Sequence, residues 1–92
     1  MQPSKVYFTN MRTDDDNSAL DKLRRLISKA GMDSMPLKER FTAIKIHFGE
    51  PGNLSFLRPN YAKVVVDFIK EQGGNPFLTD CNTLYTGARK NA

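Results

Sequence analysis

The period of the apolar residues changes along the chain, and each change marks an element. Lys5-Val6-Tyr7-Phe8-Thr9, after Pro3, is a β-rich run that predicts a first strand. Between Ser18 and Ala30 the residues Leu20, Leu23, Leu26, Ile27 and Ala30 recur at helical spacing. Asp21, Lys22, Arg24, Arg25 and Ser28 fall on the other side, so this stretch predicts an amphipathic helix stopped by Gly31. Asp14-Asp15-Asp16-Asn17 precede it and offer N-cap side chains and negative charge where the helix dipole favours both. Thr42-Ala43-Ile44-Lys45-Ile46-His47-Phe48 alternates: Ile44, Ile46 and Phe48 share one face of a second strand, and Ala43, Lys45 and His47 share the other. Pro59 suits the first position of a second helix running to about Gln72, with Tyr61, Val64, Val65, Phe68 and Ile69 inward and Gly73-Gly74 as its stop. Pro76-Phe77-Leu78-Thr79 predicts a third strand. The connector Met32 to Arg40, with Pro36 inside it, is expected to lay its apolar members over the core edge.

The order strand, helix, strand, helix, strand predicts the α/β class. The expected form is a three-stranded parallel βαβαβ sheet with two packed helices, a Rossmann-like half whose outgoing loops gather at one edge. A chain of 92 residues is expected to form one small α/β domain over 1–92, as the N-terminal fragment of a longer protein. Parallel sheets rarely leave a face open to water, so the rest of the polypeptide or an oligomer partner is expected to cover this one.

Composition narrows the class without naming a reaction. Hydrophobic residues make up 39% and charged residues 26%, the balance of a folded domain. Met1-Gln2-Pro3-Ser4-Lys5 is not followed by the apolar stretch of a secretory signal, and no long apolar run suggests a membrane span, so a cytoplasmic location is expected. The single cysteine, Cys81, fits a reducing compartment and cannot hold an iron–sulfur cluster, which takes four protein ligands. A net charge of +4 modestly favours anionic partners. The cations are scattered, with no dense basic tract, so a solvated helix face is a simpler reading than a nucleic-acid footprint.

Ligands of open α/β sheets bind beyond the carboxyl ends of the strands. Here that edge comprises Asn10 and Arg12 after the first strand, Gly49-Glu50-Pro51-Gly52-Asn53 after the second, and Asp80-Cys81-Asn82-Thr83 after the third. Lys45 and His47 share a strand face and would bind an anion or move protons; alternatively that face is simply solvated, or Lys45 pairs with Asp80. His47 is the only histidine, which excludes a histidine-rich metal site. No protein metal site is expected in this chain. The glycine loop matches neither GxxxxGK[ST] nor GxGxxG and is weak as a phosphate cradle. Cys81 as a nucleophile is disfavoured by the adjacent Asp80. Arg58, Asn82, Thr83 and Tyr85 supply charge and hydrogen-bonding groups.

Ala43-Ile44-Lys45-Ile46-His47-Phe48-Gly49-Glu50-x-Gly52-Asn53, then Leu57-Arg58-Pro59, then Gly73-Gly74-x-Pro76-Phe77-Leu78-Thr79-Asp80-x-Asn82-Thr83-Leu84-Tyr85, resembles the uncharacterised Fe–S centre proteins of domain-of-unknown-function family 362. The resemblance implies an iron–sulfur, redox-associated protein whose 4Fe–4S clusters are bound by cysteines outside this chain. It selects Lys45, His47 and Asp80 as candidate catalytic residues, and Glu50, Asn53, Arg58, Asn82, Thr83 and Tyr85 as candidate ligand-binding residues. The expected function is therefore a polar, anion-binding crevice in a redox or electron-transfer protein. The alternatives are a non-catalytic module docking an acidic protein or nucleic acid, and a hydrolase or transferase using Cys81.

Overall fold

The computed structural model describes residues 3–80. The chain divides after Pro36 into two compact units.

In the first unit, helix α1 spans Ala19–Lys29 and is followed by a 3₁₀ turn at Met32–Ser34. Asp14 and Asn17 form a tight turn before it, exchanging backbone hydrogen bonds of 3.3 and 3.2 Å. The cap is Ser18, one residue beyond the expected acidic run. Its Oγ accepts the Asp21 N–H at 3.1 Å, while Asp21 Oδ2 accepts the Ser18 N–H at 3.2 Å, a reciprocal capping box. The Ser18 hydroxyl also donates to Asp21 Oδ2 at 2.9 Å. These two bonds from Ser18 hold the Asp21 carboxyl below its ordinary pKa of 3.8, with the charge of Arg25 adding to the effect. No residue of α1 is buried.

The second unit carries the sheet. Strand β1 (Phe41–Lys45) pairs with strand β2 (Asn75–Thr79) in parallel, in a register running from Phe41 opposite Asn75 to Lys45 opposite Thr79. Helix α2 (Pro59–Glu71) joins them and packs on both. Its buried residues are Ala62, Phe68 and Ile69, and with Leu37 from the connector they form the core. Tyr61, Val64 and Val65, expected to be fully inward, are half-buried. Thr42 and Ile44 of β1 are half-buried, while Phe41, Ala43 and Lys45 on its other face are exposed.

The three-stranded sheet expected from the sequence is therefore corrected: the described residues form a two-stranded parallel sheet, and the α/β class stands. Lys5 to Thr9 is not a strand, and Val6 and Phe8 are 87% and 84% exposed. β-propensity measures how well side chains fit a paired, half-buried surface, so a β-rich run without a partner has no ladder to express it. β1 also ends sooner than expected, at Lys45, although Ile46 N–H still donates to the Thr79 carbonyl at 2.9 Å. No described helix is long and apolar enough to cross a membrane.

The turn from α2 into β2 depends on two glycines. Gly73, at φ +84°, takes the left-handed conformation that ends the helix. Gly74 is needed for closeness instead: a Cβ there would stand 2.8 Å from both the Leu37 carbonyl oxygen and Ile69 Cγ2. Around it, Gly74 N–H donates to the Ile69 carbonyl, Glu39 N–H to that of Gly73, and Asn75 N–H to that of Arg40, each at 2.9 Å. The helix end, the connector and the start of the sheet are thus tied at one point.

Two outcomes follow for stability. Gly74→Ala lowers the urea-unfolding free energy by about 1–3 kcal/mol, because the backbone carbonyl in its way is fixed, and Ile69→Ala costs about 2–5 kcal/mol; an unchanged midpoint for either removes this junction from the core. For α1, the depressed Asp21 pKa contributes stability that is fully present above pH 3.8 and is lost as pH falls through the lower, folded-state value. Circular dichroism of Asp21→Asn is expected to show weaker helicity at pH 6 and the loss of that acid-range component; wild-type acid behaviour in the variant would contradict the box.

Candidate functional site

Because β1 and β2 run the same way, their carboxyl ends leave the sheet side by side. Asp80, the first residue beyond β2, uses Oδ2 to accept the Phe48 N–H at 3.1 Å. This bond ties the two outgoing loops across 32 positions of sequence. A carboxylate accepting a backbone N–H is a charge-assisted bond, so Asp80 acts here as a clamp on the loop that follows β1.

That loop is shaped by its own backbone. His47 Nδ1 accepts the Gly49 N–H at 2.8 Å, which leaves the proton of the neutral imidazole on Nε2. Gly49 lies at φ +91°, and a Cβ on it would sit 2.7 Å from the Phe56 ring, so the ring rests directly on the glycine. Asn53 N–H closes a turn onto the Glu50 carbonyl at 2.9 Å, with Gly52 at φ +83°, and Asn53 Oδ1 then accepts the Ser55 N–H at 2.8 Å. Arg58 is the N-cap of α2 but makes no side-chain capping bond, and Pro59 occupies the start of the helix, where a missing N–H costs nothing.

The residues singled out from the sequence are distributed unevenly. Lys45 stands exposed at the end of β1, on the sheet face away from Ile44. His47, Glu50, Asn53 and Arg58 follow it along the loop, and Asp80 clamps that loop from the neighbouring strand. Asn82, Thr83 and Tyr85, with Cys81, lie outside the described residues. Asn10 and Arg12 belong to the first unit, where Lys22 Nζ donates to Asn10 Oδ1 at 3.0 Å and to the Arg12 carbonyl. Their task there is to hold α1 against the segment before it.

An apolar recess that no sequence motif marks adjoins this edge. A cavity of about 130 Å³ lies beside His47, with Ile46, Phe48, Phe56, Leu57, Pro59, Ala62 and Leu78 in its wall. The available signal was the apolar Phe56-Leu57 following a glycine–proline loop, but only the fold of that loop onto Gly49 brings Phe56 back toward β1. In the first unit, a wider open groove of about 300 Å³ is lined by Phe8, Thr9, Lys22, Arg25, Leu26 and Lys29.

Among the described residues, no three or more His, Cys, Asp or Glu side chains are grouped to hold a metal ion. An iron–sulfur cluster needs several thiolates and the chain has one cysteine, so its residues do not fit such a cluster as a site of their own. The edge supplies a cationic amine, a guanidinium, an imidazole of defined tautomer, two carboxylates and an adjoining apolar recess.

No curated protein and no solved structure matches this chain. The family described as Domain of unknown function (DUF362) matches residues 42–92, a span that starts in β1 and contains the loop, α2, β2 and Asp80. That span is more than half of the sequence and holds every residue of the strand-exit edge, so the chain belongs to the DUF362 family.

Proposed function

We propose that this chain is the ligand-holding α/β part of a cytoplasmic, redox-related iron–sulfur protein, and that it receives a small anionic ligand at the strand-exit edge. The observation that carries the ligand site is the Asp80–Phe48 bond, which fixes the two outgoing loops beside one another. Lys45 and Arg58 neutralise the ligand, His47 gives or takes a proton, and Glu50 and Asn53 border the site. Asn82, Thr83 and Tyr85 are further candidate ligand-binding residues by the motif resemblance alone. Asp80 is a positioning residue, because its Oδ2 is spent on a backbone amide.

The iron–sulfur context rests on the motif resemblance. The 4Fe–4S clusters would be held by cysteines beyond this segment, and no step of ligand binding runs through them. The exposed sheet face with Phe41 and Phe77, 85% and 49% exposed, is covered in this reading by further polypeptide or an oligomer partner.

A second reading, docking of an acidic protein or nucleic acid, is favoured by the groove on α1, where Lys22, Arg25 and Lys29 share one lining. It is weaker, because Lys22 is already bonded to Asn10 and Arg12 and Arg25 to the Asn17 side chain. Charges held by internal partners have less left for a phosphate backbone.

Calorimetric titration with acetate and inorganic phosphate tests the first reading. Lys45→Ala and Arg58→Ala are each expected to weaken binding about two- to fivefold, the effect of an exposed charge pair. Unchanged binding in both variants would remove the anion site. For the second reading, a short single-stranded oligonucleotide should bind with a steep salt dependence that the Arg24→Ala/Arg25→Ala double variant flattens and Lys45→Ala leaves alone; a salt-independent signal rules docking out.

A further inference from the structure

The cavity beside His47 takes no part in neutralising an anion, and its walls suit a different chemistry. We propose that it is a binding site for a single aromatic ring of phenol size, with the His47 imidazole as its polar wall. The inference rests on the reading of the strand-exit edge as a ligand site for its place alone, and goes beyond it by naming the apolar half of what binds.

Size comes first. At about 130 Å³ the cavity is close to the roughly 150 Å³ apolar cavity that accommodates benzene, and it falls below the roughly 300 Å³ at which sites for larger cofactors begin. The wall is next. Among the described residues, seven lining side chains are apolar and His47 is the polar one. A lining with one polar side chain meets a carbon ring better than it meets water. Phe48 and Phe56 bring two aromatic rings to the wall, whose faces and edges attract a third in offset or edge-on contact.

The recess is also braced. Ala62, 5% exposed in the second turn of α2, supplies the short side chain that leaves the space, and Phe56 is seated on Gly49 at a distance no Cβ would permit. The Gly49 N–H bonded to Nδ1 fixes the His47 ring in place beside the apolar wall. A saturated alcohol of the same size would lose the ring contacts. That difference separates an aromatic site from a generic greasy one.

Nitrogen-15 amide spectra of the 92-residue chain, titrated separately with phenol, cyclohexanol and acetate, test the proposal. Phenol is expected to shift the amides of Ile46, Phe48, Gly49, Phe56 and Ala62 with a dissociation constant on the order of 1 mM, and cyclohexanol to bind about threefold more weakly or worse. Ala62→Leu, filling the recess from inside, should weaken phenol about tenfold. Leu57→Trp, built on a side chain 53% exposed at the wall, should do the same and keeps the test standing if the first variant does not fold. The proposal is overturned if phenol leaves these amides unmoved, if cyclohexanol binds as tightly, if both variants bind phenol like the parent, or if the shifts follow protein concentration instead of phenol. Phenol shifts without acetate binding would refute the anion site alone, and acetate binding without phenol shifts would refute the ring site alone.

Discussion

Two parallel strands cannot be joined by a tight turn, so the sheet of this protein exists only as far as a crossover helix can be held against it. Helix α2 is that crossover, and its hold comes from Ile69, fully buried, meeting Leu37 and the bare backbone of Gly74. The same close approach orders the chain at both ends of the helix's return. It lets Arg40 accept from Asn75 and so starts the ladder in the register that ends with Lys45 opposite Thr79. Everything at the strand exits inherits that register. Were the pairing shifted by one residue, Asp80 would no longer stand beside Phe48, and the loop beyond β1 would lose its clamp.

How much of this could be read from the chain depends on whether the signal was local. α1 and α2 were legible because helical spacing, Pro59 at the start of α2 and glycine at the end of each are written within one segment. β1 and β2 were legible as apolar runs on either side of such a helix. The run Lys5 to Thr9 carries the same local signal and is not a strand, because pairing is a property of two segments and the sequence records only one of them at a time. Even α1 shows the limit of capping rules. The acidic run Asp14 to Asp16 invited the cap, yet Ser18 won it, since only a residue three before Asp21 can exchange both bonds of the box.

At the strand exits, the meeting of two loops was legible and the bonds that hold them were not. That the loops after β1 and β2 meet follows from parallel pairing, and the carboxyl-edge rule pointed to Lys45, His47, Glu50, Asn53, Arg58 and Asp80 on that ground. What each does was not legible. Nothing in the sequence pointed to the bond by which Asp80 Oδ2 holds the Phe48 backbone amide. The bond from the Gly49 N–H to His47 Nδ1, two residues back, was likewise not legible. The recess was invisible for a plainer reason: it is bounded by residues from β1, the loop, α2 and β2, and no spacing rule links Ile46, Phe56, Ala62 and Leu78.

These commitments constrain any chemistry at this edge. Lys45 and Arg58 carry positive charge and Glu50 and Asp80 negative charge, so with His47 neutral the formal charges cancel and bulk attraction for an anion is slight. The Gly49 N–H is held by His47 Nδ1, and Gly49 is also the seat of Phe56, so this one bond bears on the wall of the apolar recess. Under the two proposals above, a ligand joining an anionic group to an aromatic ring would use both parts of the edge, its charge met by Lys45 and Arg58 and its ring by the walls that the Gly49 bond keeps in place.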